Sequence, residues 1–475
     1  MKDLLKKAGP NRYQVTGLEG MHVDVMVYLS KHLFNDFSEG EAVRQLVNGA
    51  MLPGACFKII GLPDIHTGFG LPIGGVMATH AQNGVVSAGA VGMDINCGVR
   101  LLATRLQRDE LDQKTVRSLL EAIEDSVPIG VGKRSRHREL NEHLETILAE
   151  GAREVIRLGY GQAGEGQSIE EGGCLAGADP AALTAESLKR SDQLSTLGGG
   201  NHFIEIGYVA RVFNKDLAAR FGLEQGVVTV MMHTGSRGLG HQICTDFSKR
   251  MVSASKKYGI SLPDKGLACA PIDSPEGKAY LGAMACAVNF AFANRQLIAY
   301  NVRQAFTRVL GKNEDTLGLS TVYDVAHNIA KFETHHGAGV LVHRKGATRA
   351  LPPGHPDNPP LYRATGHPAI IPGSMGTASY VVVGTEKARE TFCSVNHGAG
   401  RVLSRTAARK AISREQFRES MGDIVFNRHK MKQLLDEAPG AYKPIAEVVD
   451  TLAEIGITDK VVEIRPLGVI KGEDG

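Results

Sequence analysis

The sequence predicts a mixed α+β fold that forms one large body, and two observations lead to this prediction. First, β-type and helical runs follow one another irregularly, whereas a doubly wound sheet would show regular βαβ alternation. Second, segments rich in Gly and His recur from residue 61 to residue 401. A length of 475 residues would allow two or three domains. If the Gly-His segments build one site, however, residues 1–475 form a single catalytic domain.

Eight short runs have the alternating or continuously apolar pattern that is typical of β-strands. Most are rich in Val and Ile and are bounded by Gly, Asn or His. The predicted strands cover residues 23–28, 57–60, 72–78, 98–106, 202–209, 226–232, 338–343 and 378–384.

Helical periodicity accounts for most of the remaining regular segments. It predicts helices over 39–50, 109–125, 138–158, 240–257, 275–311, 401–412 and 414–436. The run 275–311 is long and rich in small residues, which predicts a buried central helix with at most one break. The polar, Gly-rich segment 160–179 and the Pro-rich segment 351–360 are predicted to be surface loops.

The composition excludes several classes of protein. The chain has 54 basic and 51 acidic residues, which excludes a sequence-blind nucleic-acid coat but leaves room for a local basic groove. Its seven cysteines are widely spaced without a CxxC pair, which argues against a disulfide framework and a zinc ribbon. Neither a signal peptide nor an apolar run long enough for a membrane span is apparent. We therefore expect a soluble, reduced, cytoplasmic protein that does not contact membranes.

The glycine content is the most unusual feature: 56 of the 475 residues are glycine, or about 12%, against a usual level of about 7%. Many Gly runs carry residues that can bind metal ions. Asp94 and Cys97 lie on one Gly-flanked turn, His202 and His233 stand at the ends of predicted strands, and His327 stands at the end of a further β-like run. Each residue alone is more typical of a structural role. Together they would suit two adjacent divalent cations bridged by the thiolate, although the ligand types do not choose among manganese, zinc and iron.

Other segments could bind phosphate. A strand, a Gly-rich turn with Arg237 and a helix follow one another at 227–243, an arrangement that favours anions. The loop 370–380 could cradle a phosphate with backbone N–H groups. His397, flanked by Gly398 and followed by Arg401, would suit a nucleophile in phosphoryl transfer. A helix-initiating turn without chemistry explains that last segment equally well. No P-loop or dinucleotide fingerprint is present.

Seven motifs in order identify a resemblance that covers the chain from about residue 10 to its C-terminus. DINCG, GGGNHF, HTGSRG, HNIAKFE, HRKGATRA, PGSMGT and NHGAGR together resemble the RtcB RNA ligases of tRNA splicing and RNA repair. The resemblance implies β-sheets around a central metal and nucleotide cleft, flanked by helices. It also implies GTP- and Mn²⁺-dependent joining of RNA 2′,3′-cyclic phosphate or 3′-phosphate ends to 5′-hydroxyl ends, through a histidine–GMP and an RNA(3′)pp(5′)G intermediate.

The resemblance assigns roles to individual residues. His397 would carry GMP, Asp94, Cys97, His202, His233 and His327 would bind two manganese ions with Cys97 shared, and Asp64 is an essential acid. Nucleotide contacts are implied for Asn201, Phe203, Glu205, Ser374, Ala399, Gly400, Tyr442 and Lys471, with Phe203 and Tyr442 flanking the guanine. Arg237, Lys345 and Arg401 are implied to contact the RNA phosphates and the reacting centre.

Partners and alternatives complete the sequence-based expectations. The expected substrates are tRNA halves or other broken RNA, with archease as a candidate activator and a monomer as the expected state. Glu473, Asp474 and Gly475 extend the chain past the KG that ends close relatives, next to Lys471. A dinuclear metal-dependent phosphoesterase acting on RNA ends could use the same five ligands. A protein that binds RNA or stores metal without turnover is the third reading.

Overall fold

Two large β-sheets and a long central helix organise the protein in the computed structural model, which describes residues 2–472. The C-terminal Glu473–Gly475 extension lies outside the described residues. The strands are β1 Lys6–Gly9, β2 Arg12–Val15, β3 Asp24–Tyr28, β4 Ala55–His66, β5 Ile73–His80, β6 Val85–Ser87, β7 Gly98–Gln107, β8 Phe203–Val212, β9 Val227–Thr234, β10 Cys269–Pro271, β11 Ser320–Ala326, β12 Asn328–His335, β13 Ala338–Lys345, β14 Ala347–Arg349, β15 Ala369–Ile371, β16 Ser379–Gly384, β17 Ser394–Asn396 and β18 Thr458–Lys471.

The α-helices are shorter on average than the sequence predicts. They are α1 Lys31–Asp36, α2 Gly40–Ala50, α3 Gln113–Ser126, α4 Leu144–Glu150, α5 Ala152–Arg157, α6 Ala185–Leu188, α7 Lys215–Arg220, α8 Arg237–Lys257, α9 Pro275–Leu310, α10 Glu314–Leu317, α11 Arg405–Ala411, α12 Arg414–Met421 and α13 Ile445–Ala453. Within residues 2–472, none of them combines the length and apolar character that crossing a bilayer requires.

The sheet topology confirms the predicted α+β class. One seven-stranded sheet has the order β1-β2-β3-β4-β5-β13-β12, and the other has the order β11-β7-β9-β8-β18-β16-β15. Two-stranded ladders join β10 to β6 and β14 to β17. Among the paired strands of residues 2–472, β3 and β4 run parallel and the other pairs are antiparallel.

All eight predicted strands occur in the structure, but the sequence pattern missed several others, of which β18 is the longest. This strand has 14 residues and pairs with both β8 and β16. Its register shifts between Pro466 and Gly468, which interrupts the apolar alternation. A side chain at Gly468 would collide with Val116, so the interruption also lets α3 pack against the strand.

The central helix α9 is continuous over 36 residues, without the break that the sequence allowed for. Ser274 caps its first turn by accepting a hydrogen bond from Gly277 N, and Gly311 ends it at a φ of 63°. Most of its residues are buried, as predicted, because α3, α4, α5, α8 and β9 pack around it. Its small residues allow these close approaches.

Two predicted helices are interrupted at glycine, and one begins late. Gly151, at a φ of 61°, separates α4 from α5, and Gly422, at a φ of 49°, ends α12. A 3-10 helix over Arg428–Glu437 replaces the rest of the predicted helix 414–436. Helix α11 begins after the cap Ser404, so Arg401 precedes it rather than opening it. Helical periodicity continues across these points, whereas the positive φ values redirect the backbone.

The predicted surface loop 160–179 is partly buried, contrary to expectation. Glu165 and Glu170 in this segment are nearly inaccessible to solvent. Glu165 pairs with Arg303 of α9, and Glu170 pairs with Lys331 of β12 at 2.7 Å. Buried cations therefore draw a polar, Gly-rich segment into the interior, because a buried charge needs an opposite partner.

Candidate active site

The sheet order brings the five predicted metal ligands to one edge. Strands β11, β7, β9 and β8 are neighbours in that order. His327 directly follows β11, and Cys97 directly precedes β7. His233 lies near the end of β9, opposite Phe203, which His202 precedes at the start of β8. In an antiparallel sheet these starts and ends meet on one side, so ligands from distant parts of the chain converge.

Two groups of potential metal ligands share one sulfur atom. Cys97, His233 and His327 form one group, and Asp94, Cys97 and His202 form the other, with ligand atoms within 4.8 Å of one another in each group. Cys97 Sγ lies 3.3 Å from His233 Nε2 and 3.4 Å from His202 Nε2. This arrangement could hold two cations around a shared thiolate.

The electrostatics of these residues are compatible with cation binding. Burial lowers the pKa of His233 and His327 well below the usual value, so both imidazoles are neutral and can act as ligands. Burial raises the pKa of Asp94, but the hydrogen bond and charge of His202 outweigh it and bring the value to about 2. Burial and the Asp94 charge raise the pKa of Cys97 well above normal. A bound cation would favour the thiolate.

Two supporting residues fix the ligand-bearing turns and were missed by the sequence reasoning. Arg295 of α9 donates from Nη1 to the carbonyls of Asn96 and Thr234, both at 2.9 Å. Asn328 donates to the carbonyl of Asp94 at 3.0 Å. The signal available for Arg295 was an arginine within a helix predicted to be buried, because a fully buried cation requires polar partners.

His397 is held by a buried carboxylate. Asp64 Oδ2 lies 2.7 Å from His397 Nδ1 and accepts a hydrogen bond from the His397 backbone N–H at 2.9 Å. Asp64 lies near the end of β4 and is fully buried, whereas the His397 side chain remains partly accessible. With Nδ1 protonated towards Asp64, the lone pair of Nε2 is available for nucleophilic attack.

The ligand groups and His397 face one cavity of about 940 Å³. Cys97, His202, His233 and His327 line it together with His397 and the predicted basic residues Arg237 and Lys345. The cavity therefore places a candidate nucleophile, two candidate cation sites and positive charge in contact with the same space.

The predicted guanine-contacting residues form an adjoining buried cluster. Lys471 Nζ donates to Asn201 Oδ1 at 2.9 Å and lies 5.6 Å from the centre of the Phe203 ring. Glu205 lies on the same pair of strands. It is paired with Val469 in the β8–β18 ladder, and Phe203 is paired with Lys471. Burial raises the pKa of Glu205 to about 8, and its Oε1 atom has no hydrogen-bond partner among the described residues.

Glu437 connects this cluster and was not anticipated from the sequence. Its carboxylate accepts hydrogen bonds from Tyr442 Oη and from Arg401 Nη1, and it lies 2.9 Å from Lys471 Nζ. Burial opposes ionisation, but the charges of Lys471 and Arg401 lower the pKa of Glu437 below its ordinary value. No sequence pattern distinguished this glutamate, because its partners are remote or belong to an irregular segment.

The remaining predicted residues lie nearby with different partners. Ser374 Oγ is 3.1 Å from Thr377 Oγ1, and a side chain at Gly400 would collide with the Asp64 carbonyl. Ala399, which precedes Gly400 in the chain, is buried. Arg237 Nη1 is 3.4 Å from His202 Nδ1. Lys345 donates to the carbonyls of Phe69 and Gly89, and burial lowers its pKa to about 8.

Comparison with known proteins identifies the family. A family model described as "tRNA-splicing ligase RtcB" matches residues 45–472. The chain is 47% identical to the tRNA-splicing ligase RtcB of Archaeoglobus fulgidus, over 99% of this chain and 100% of that protein. It is 45% identical to the Thermococcus kodakarensis protein of the same name, over 98% and 99% of the two chains. The RNA-splicing ligase RtcB of Mycobacterium tuberculosis is 45% identical over 90% of this chain and 100% of its own. The chain therefore belongs to the RtcB family of RNA ligases.

Proposed function

We propose that this protein is a GTP- and Mn²⁺-dependent RNA ligase that joins 2′,3′-cyclic phosphate or 3′-phosphate ends to 5′-hydroxyl ends. The observation that carries the proposal is the position of His397. Asp64 orients its ring on the wall of the cavity that also contains both ligand groups. Family membership supports ligation rather than another phosphoryl transfer.

The proposed reaction begins with guanylylation of His397. Nε2 attacks the α-phosphorus of GTP, the new N–P bond forms, and pyrophosphate leaves. Asp64 holds the Nδ1 proton and stabilises the positive charge that develops on the ring. The Asp94, Cys97, His202, His233 and His327 set would hold the manganese ions, which neutralise phosphate charge when bound.

Two transfers to RNA follow in this proposal. The 3′-phosphate attacks the guanylylated histidine and takes GMP, giving RNA(3′)pp(5′)G and free His397. The 5′-hydroxyl then attacks the 3′-terminal phosphorus, the phosphodiester forms, and GMP leaves. Arg237, which lines the cavity near His202, supplies positive charge for the phosphates. Arg401 is not among the cavity-lining residues and is held by Glu437, so its contact with RNA rests on the family resemblance. A cyclic end is first hydrolysed to the 3′-phosphate.

The base cluster supports selection of GTP over ATP. Glu205 Oε1 is buried and has no hydrogen-bond partner among residues 2–472. Once ionised, the Glu205 carboxylate can accept hydrogen bonds from the guanine N1–H and amino groups. Lys471 lies in the same cluster and can donate to the guanine carbonyl. Adenine offers the opposite pattern at these positions and would leave the polar groups unsatisfied.

Labelling with α-³²P-GTP and Mn²⁺ tests the proposal directly. The wild type should acquire an acid-labile, alkali-stable label, ATP should label it weakly, and His397→Ala should not be labelled. His32→Ala, at an exposed position on α1, is the matched control. Labelling of His397→Ala at the wild-type level, or an unlabelled wild type, contradicts the assignment.

A phosphate-release assay on the same proteins distinguishes the alternative dinuclear phosphoesterase. Such an enzyme would release phosphate from RNA ends without GTP. We further propose that residues 1–475 act as one catalytic unit, because the cavity residues are distributed along the chain from Phe69 to Arg405. Activity on tRNA halves or other broken RNA, stimulation by archease and a monomeric state are additional predictions.

A further inference from the structure

Phe69 is an exposed aromatic side chain at the lip of the catalytic cavity. It lines the same cavity as His397 and Cys97, yet 49% of its surface is accessible. The chain contains no Trp, so large aromatic surfaces are scarce. One edge of the ring lies against Gly89, where an added Cβ would be 3.6 Å from Phe69 Cε1. Lys345 Nζ lies 6.0 Å from the centre of the ring. The exposed part of the ring is accessible to a molecule entering the cavity.

Buried polar side chains fix the loop that presents Phe69. Gln45 Nε2 donates to the Gly68 carbonyl at 2.6 Å, and Gln45 Oε1 accepts from Gly68 N at 3.1 Å. Lys345 Nζ donates to the Phe69 carbonyl and to the Gly89 carbonyl at 3.1 Å. Gly70 adopts a φ of 74°, which completes the turn. Both flanks of Phe69 are therefore held although its ring gains little from burial.

A preorganised, exposed ring beside a phosphoryl-transfer centre is suited to stacking. We propose that Phe69 stacks against the terminal nucleobase of an RNA end that enters the cavity, an inference that rests on the proposed ligase function. The cavity provides ligands and charge for phosphates, and a nucleotide whose phosphate lies in this cavity also carries a base with a flat π-face. Stacking accepts any base, since each base has a π-face. A fixed loop reduces the entropy lost on binding.

Protein variants separate stacking from general hydrophobic contact. Phe69→Leu keeps an apolar side chain but removes the ring, whereas Phe69→Tyr keeps the ring. We expect kcat/KM for RNA ligation to fall about tenfold in Phe69→Leu and to remain near wild type in Phe69→Tyr. Phe332→Leu is the matched control, because Phe332 is 57% exposed and lines a different cavity. A Phe69→Leu enzyme with wild-type kcat/KM overturns the proposal.

Abasic substrates then locate the base. One RNA carries an abasic nucleoside at its 3′-phosphate end, and another carries it at its 5′-hydroxyl end. With the abasic RNA that lacks the base stacked on Phe69, wild type and Phe69→Leu should ligate at equal rates, because the stacking partner is already absent. If the full Phe69→Leu defect persists with both abasic RNAs, the ring contacts something other than a terminal base, such as an apolar side chain of a partner protein, and the proposal fails.

Guanylylation without RNA keeps this test independent of the proposed function. Phe69→Leu should form the His397–GMP label at the wild-type rate and should unfold at the wild-type temperature. A wild type that neither labels nor ligates would contradict the ligase assignment. A wild type that does both, with Phe69 variants indifferent to the base, would contradict the stacking proposal alone.

Discussion

His397 Nδ1 and Asp64 Oδ2 lie 2.7 Å apart, and the same carboxylate oxygen accepts the His397 backbone N–H. One atom thus orients both the ring and the main chain of the candidate nucleophile. Asp64→Asn can present an amide N–H to Nδ1 and stabilise the wrong tautomer. We expect labelling with GTP to fall by at least about 100-fold.

The unfolding temperature of Asp64→Asn should be measured beside its labelling rate. Loss of labelling in a variant that remains folded supports the orienting role. Labelling at the wild-type rate would show that the carboxylate is dispensable for the first step.

Replacing Cys97 tests whether one sulfur serves both cation sites. Because Cys97 belongs to both ligand groups and His327 to one, Cys97→Ser should weaken binding of two Mn²⁺ ions and His327→Ala should weaken one. Equilibrium dialysis against limiting Mn²⁺ gives the stoichiometry. Cys174→Ser, at a free cysteine outside both groups, is the control. Two tightly bound ions in Cys97→Ser would contradict the shared ligand.

Glu205 should make stability depend on pH. Burial raises its pKa to about 8 in the folded protein, from 4.5. The stability associated with its neutral form is complete below about pH 4.5 and is lost as pH rises towards 8. Relative to Glu205→Gln, the wild type should lose about 1.4 kcal/mol per pH unit within this window. Urea unfolding in EDTA at pH 5, 6.5 and 8 measures the difference, with Glu463→Gln on β18 as control. A difference that does not vary with pH contradicts the prediction.

Glu437 should act as a positioning residue for nucleotide binding. It orders Tyr442, Arg401 and Lys471 through one carboxylate. Removing its charge in Glu437→Gln should raise the KM for GTP in guanylylation about tenfold, with a smaller change in kcat. The adjacent Asp436→Asn, also buried but paired with Arg409, is the matched control. Equal KM values with a lowered unfolding temperature would assign Glu437 a purely structural role.

The metal-ligand candidates could be predicted because Asp94 and Cys97 lie on a Gly-flanked turn and the three histidines lie at the ends of β-type runs. Their mutual distances could not, since these depend on the order β11-β7-β9-β8, which places β7 beside β9 and β11 although both are more than a hundred residues away along the chain. Asp64 and His397 illustrate the same limit. The family resemblance singled out both residues, whereas their hydrogen bond arises from the way the chain segment after β17 packs against β4.

Residues that hold other residues were the hardest to predict. Glu437 ends a 3-10 helix that replaces the last part of the predicted α-helix 414–436, and its partners come from three separate segments. The exposure of the Phe69 ring could not be predicted from the sequence either, because a phenylalanine between two glycines also suits a buried turn. Local patterns report secondary structure and chemical type, whereas burial and partnership depend on packing between distant segments.

The Arg295 contact has a mechanical consequence. A single nitrogen atom binds the carbonyl that precedes Cys97 and the carbonyl that follows His233. The distance between Cys97 and His233 is therefore set by the rigid, planar guanidinium of Arg295 on α9 rather than by the adjustable packing of side chains. Strain or thermal motion elsewhere in the sheet would move both turns together and leave the spacing between sulfur and imidazole nearly constant.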